Sequence, residues 1–164
     1  MMVEKVRLVI IILINIGIGL NAGLFFVFST CIMTALSNIR SDKGISAMQA
    51  INIYMLNPFF AIVFGGTAFL CIILIVIELF YWNGLSSILI LLGSSLFLIG
   101  TISVTMLFNV PLNDSLAKVR TDTSQSTIVW SNYLIQWTKW NHVRTIAALF
   151  SMLCFILGTL QLYK

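Results

Sequence analysis

Four apolar stretches, each long enough to cross a bilayer, decide what this chain can fold into. The first runs from Leu8 to Leu36, interrupted only by Asn15, Asn21 and small residues. At about 1.5 Å per residue it reaches roughly 43 Å against about 30 Å of hydrocarbon core, so it must tilt or protrude. Met1 to Arg7 ahead of it has the charge of a signal-peptide start. The apolar run outlasts an h-region, however, and Leu20-Asn21-Ala22 is a poor cleavage site, so an uncleaved span is expected. Of the 164 residues 60% are hydrophobic and only 9% charged, with a mean hydropathy of +1.06. A soluble domain carries about 25% charged residues. Without them a water-facing surface cannot be covered, which excludes a soluble enzyme, a disordered regulator and a nucleic-acid-binding domain.

The expected fold is all-α: an integral membrane four-helix bundle forming one domain over 1–164. Its spans fall at about 8–36, 59–82, 85–108 and 143–162, and its polar or amphipathic connections at 37–58 and 109–142. The second helix is expected to begin near Ala47 and to kink or break at Pro58. Tyr81-Trp82-Asn83-Gly84 reads as a tight interfacial turn with an aromatic anchor. The third span is expected to unwind before Pro111, and the last helix to restart near Ser126 and run on as one long helix. Glu78, near the end of the second span, is expected to be interfacial and solvated.

The net charge of +4 comes from scattered side chains, so no polyanion patch and no nucleic-acid partner is expected. Arg40, Lys43, Lys118, Arg120, Lys139 and Arg144 in the first and third connections outnumber Lys5, Arg7 and Lys164. By the positive-inside rule this favours a cytoplasmic position for those two connections, a margin that shrinks if Lys139 and Arg144 face the bundle interior. The localisation expected is multi-pass, in the plasma membrane if the source is prokaryotic. Cys31, Cys71 and Cys154 lie in apolar runs and read as small hydrophobes. The single histidine and the absence of clustered carboxylates give no metal-ligand spacing, so no metal is expected.

Polar side chains at membrane depth need partners, and four groups stand out. Asn15, Gly19 and Gly23 share one face of the first span, a small-residue pattern for close helix approach within the bundle or between copies. Asn21 and Ser29 beside it either join that packing or line a cavity. Gln49 and Asn52 share a helix face near the headgroups and read either as an interfacial helix entry or as part of a site. Asn109-Val110-Pro111-Leu112-Asn113 reads as a helix end followed by a turn, with Asn113 or Asp114 capping the next segment of chain. Trp130, Leu134, Trp137, Asn141 and Arg144 form one helical stripe, with Tyr133, Trp140 and His142 at its edges. An aromatic belt with a snorkelling arginine explains the tryptophans, but it does not require Asn141 and the only histidine beside them.

In order and spacing, Ala47-Met48-Gln49-x-x-Asn52, then Asn109-Val110-Pro111-Leu112-Asn113, then Trp137-x-x-Trp140-Asn141-His142-x-Arg144 resemble the anthrone oxygenase-like family of four-span membrane proteins. The resemblance covers nearly the whole chain and implies oxidation of a polycyclic anthrone to its quinone by dioxygen, with no established cofactor. A mechanism on those terms needs a base, oxyanion donors and an aromatic-lined slot. His142 is the candidate base, having the one side-chain pKa ordinarily near neutrality. Arg144, Asn109 and Asn113 are the candidate oxyanion donors. Trp130, Trp137 and Trp140 are candidates to stack on the substrate, with Gln49, Asn52 and Asn141 at its polar end. The competing reading is a non-catalytic membrane protein that binds a lipid, a quinone or a partner subunit with the same cluster. Partners expected are membrane lipid, a hydrophobic small molecule, and further copies of the chain through the small-residue face of the first span. A transporter ranks last, because no inverted repeat is visible.

Overall fold

The structure, a computed structural model, describes residues 2–121 and 124–162. Lys164 of the charge count and Asp122 and Thr123 of the third connection lie outside the described residues. Among those described, the fold is all-helical. α1 (Met2–Val27) passes through a π-helical turn at Phe28–Ile32 into α2 (Met33–Ser37). α3 (Ser41–Met55) and α4 (Pro58–Phe80) follow. α5 (Gly84–Phe97) continues through π-helical segments at Leu98–Ser103 and Thr105–Asn109 into α6 (Val110–Ala117), and α7 (Ser124–Leu162) closes the chain.

Four helices are long and apolar enough to cross a membrane: Glu4–Ser37, Pro58–Phe80, Gly84–Ala117 and Gln125–Leu162. They pack in the cyclic order α1, α4, α5, α7. Pro58 does break the second helix. Asn57 turns extended, its Oδ1 accepts from the Phe60 amide at 2.9 Å, and the proline sits in the first turn of α4, where no N–H is needed. At the opposite end of α4 Gly84 takes a left-handed φ of +50°, and Tyr81 and Trp82 stand exposed as the turn predicts.

Pro111 does not unwind the third span. The two π-helical segments ahead of it widen the turns, and a proline placed at the start of α6 breaks no hydrogen bond that the helix needs there. The chain stays helical to Ala117, so this 34-residue helix is longer than the roughly 20 residues that a membrane core requires.

Two apolar cores result. One, built from Ile11, Ile14, Ile18, Leu74, Ile90, Phe97, Ala148 and Phe155, holds the four long helices together. The other lies in a head made by α2, α3, α6 and the start of α7, and gathers Met33, Leu36, Ile45, Met48, Leu116, Trp130, Tyr133 and Trp137. A Cβ on Gly44 would meet Trp130 Cζ2 at 2.8 Å and the Leu36 carbonyl at 3.1 Å, so α3 lies on the head only because this residue has no side chain. Gly44→Ala is expected to cost about 1–3 kcal/mol, read as a lower thermal midpoint in detergent.

The small residues of the first span divide. Gly17 faces Thr67 of α4 too closely for a side chain, whereas Gly19 and Gly23 face open space and pack against no helix of this bundle. Asn15 bonds the Ile11 carbonyl of its own helix at 3.0 Å, and Asn21 likewise bonds Gly17 at 2.8 Å.

Glu78 is not solvated. It is fully buried and ion-paired with Arg7 across α1 and α4, which brings into the bundle one charge expected at the interface and one expected in the N-terminal flank.

Candidate functional site

α4 is 23 residues long, while the other three long helices run to 34, 34 and 38. Above its first turn, one quadrant of the bundle has no helix, and the space left is a cavity of about 380 Å³. That size falls within the range of about 300–1,000 Å³ typical of small-molecule pockets. α3 roofs it, α1 supplies Phe25 and the π-helical turn after it Phe28, the third long helix supplies Thr105, Asn113 and Asp114, and α7 supplies Trp137 and Arg144. Phe60 and Leu56 close the α4 side. Two of the π-helical segments reach the cavity, through Phe28 and Thr105, while the third, Leu98–Ser103, packs Leu98 and Ile102 on the long-helix core.

Arg144 is the electrostatic centre. It is 5% exposed, and its guanidinium is held by neutral groups alone, Asn141 Oδ1 at 2.6 Å and Thr105 Oγ1 at 3.2 Å. The ring of Phe25 lies 4.4 Å from its Cζ and that of Trp137 5.2 Å. Among the described residues no carboxylate pairs with it. Its holders are themselves fixed. The Asn141 amide donates to the Phe25 carbonyl and to Ser29 Oγ, both at 2.7 Å, and Thr105 donates to the Thr101 carbonyl at 2.7 Å. A buried positive charge thus borders the cavity with no carboxylate in contact with it, which is an arrangement that favours an anionic ligand atom.

Two amides are oriented by their partners. Tyr133 Oη and Trp137 Nε1 both donate to Asn113 Oδ1 at 2.8 Å. Because the indole nitrogen only donates, the Asn113 NH2 group is the end left for a ligand. Gln49 Nε2 spends its hydrogens on the Leu116 and Val119 carbonyls at 2.8 and 3.1 Å, which straps α3 to α6 and leaves Oε1 as an acceptor. Asn52 lines the cavity beside them. Arg144 and the Asn113 amide therefore donate, while Gln49 Oε1 and the Asp114 carboxylate accept. Trp137→Phe is expected to release the Asn113 amide and weaken binding of a phenolate probe by roughly 2–10-fold, measured by titration.

Of the residues singled out in the sequence, Gln49, Asn52, Asn113, Trp137 and Arg144 meet at this cavity. Asn141 stands behind Arg144. Asn109 stands behind Trp137, donating to its backbone carbonyl at 3.2 Å. Trp130 belongs to the head core, stacked on Tyr133. Trp140 stacks on Phe108, with ring centroids 3.6 Å apart, and does not line the cavity. His142 is exposed and opens onto a separate shallow groove between α2 and α7, alongside Thr34, Ser37 and Lys139. The structure does not bring it to Arg144's cavity. Phe25, Phe28, Phe60, Thr105 and Asp114 carried no signal beyond their place in apolar runs or, for Asp114, after the proline.

The family described as anthrone oxygenase matches residues 59–154, more than half of the chain. No curated protein and no solved structure matches it.

Proposed function

This chain belongs to the anthrone oxygenase family, and on that premise we propose that it crosses the membrane four times and oxidises a flat, enolisable aromatic with dioxygen in the cavity under α3. The observation that carries the reading is the buried Arg144, held only by neutral hydrogen-bond partners and facing an aromatic-lined space. A phenolic anthrone placed there sets its carbonyl oxygen toward Arg144 and the Asn113 amide. As a ring C–H proton leaves, negative charge moves onto that oxygen and is stabilised where the donors already stand. Asp114, the carboxylate lining the cavity, takes the proton. The carbanion carbon bonds dioxygen to give a hydroperoxide. Loss of the second C–H proton with O–O cleavage forms the new carbonyl and releases water, so one dioxygen is consumed per quinone.

The test is oxygen uptake and quinone absorbance with emodin anthrone and the purified protein in nanodiscs. Asp114→Asn is expected to slow turnover by roughly 10²-fold or more, while His142→Ala leaves it at the wild-type rate. Quinone formation no faster than the spontaneous reaction would overturn the oxygenase reading, and binding without uptake would make this a carrier of such molecules.

A further inference from the structure

The cavity has walls on both ends. The head core, with Met48, Leu116 and Trp137 buried, closes it toward water, and the long-helix core closes it toward the membrane centre. Its strongly exposed apolar lining residues are Ile53 and Leu56, at 71% and 83%. These stand at the corner between α3 and α4, facing Asp114 and Ala117 of α6, which also line the cavity and are exposed. The opening is therefore sideways. The corner continues outward into Tyr54, Phe59 and Ile62, all strongly exposed. No charged residue occurs between Lys43 and Glu78, so nothing in this segment keeps the corner out of acyl chains.

We propose that the cavity is filled from the side, out of the bilayer, through a mouth between the α3–α4 corner and α6. The substrate class follows: an aromatic that dissolves in the bilayer and travels as the neutral phenol or enol, ionising only on reaching Arg144, because its anion would pay to cross the apolar lip. Dioxygen, itself apolar, shares the route. This rests on the proposed function for the ligand class, but the position of the mouth stands on exposure and packing alone.

Two measurements on the full chain in lipid test it, in a Cys31→Ser background because Cys31 is exposed. A nitroxide on Leu56→Cys should be relaxed by oxygen in preference to a water-soluble nickel chelate, and one on Lys43→Cys should show the reverse. A Leu56 label that behaves like the Lys43 label overturns the mouth whatever the ligand. In the second, 1-hydroxypyrene binding is followed by energy transfer from tryptophan. A bulky methanethiosulfonate adduct on Leu56→Cys should slow association and dissociation alike by about tenfold with a much smaller change in Kd, and reductant should restore both rates. Rates that ignore the adduct overturn the mouth, whereas no binding by the unmodified chain overturns the ligand class instead.

Discussion

Arg144→Met is expected to abolish catalysis while leaving the protein at least as stable as the wild type. Turnover of emodin anthrone should fall by roughly 10²–10³-fold, the usual loss when a donor to a developing oxyanion is removed. Thermal stability should hold or rise, because a buried charge held only by Asn141 and Thr105 is replaced by an apolar side chain of similar length. Arg144→Lys retains the charge but not the planar fork that reaches both holders, so it should fall between the two in activity. Kinetics and a melting curve on the same preparation check this. A variant that loses activity and stability together would make Arg144 a structural residue.

The opposite sign is expected for the other buried arginine. Arg7 and Glu78 compensate one another between α1 and α4, and removing one partner leaves an unpaired charge in an apolar interior. Glu78→Ala is expected to cost about 3–5 kcal/mol, and Arg7→Leu a similar amount. Arg7→Leu combined with Glu78→Leu should recover most of the loss, since two apolar side chains fill the same space without the desolvation of either ion. Unfolding in mixed detergent and dodecyl sulfate micelles measures all three. A double variant as unstable as the singles would assign the pair a role in packing that leucine cannot replace.

The two arginines also show what the sequence could and could not convey. The four long apolar helices, the break at Pro58, the turn at Tyr81–Gly84 and the buried stripe through Trp130, Trp137, Asn141 and Arg144 follow from periodicity and local chemistry, both of which act over a few residues. The Arg7–Glu78 pair joins positions 71 apart. Each taken singly sits near the end of an apolar run, where a charge is ordinarily solvated, and only the α1–α4 contact shows otherwise. Pro111 misled because the proline rule assumes an α-helical turn before it, and the turns there are π-helical. That error concealed the cavity as well. If the third long helix ended near residue 108, α4 would not be the only short member of the bundle, and the wall that Asn113 and Asp114 give the cavity would be missing. His142 follows Asn141 by one residue, which is about 100° of rotation, enough to carry it from the interior stripe to the opposite groove.

The π-helical segments beneath Asn113 and Asp114 have a consequence for how such a chain diversifies. Each holds one residue more per turn than the α-helix around it, so a deletion inside either segment restores the ordinary ladder there and leaves the helix beyond it facing the same way. The same deletion in the α-helical turns of α5 would rotate everything after it by about 100° and carry Asn113 and Asp114 out of the cavity together. The third long helix can therefore lose a residue at either π segment and keep its ligand-facing pair, whereas a loss a few positions away exchanges that pair in a single step.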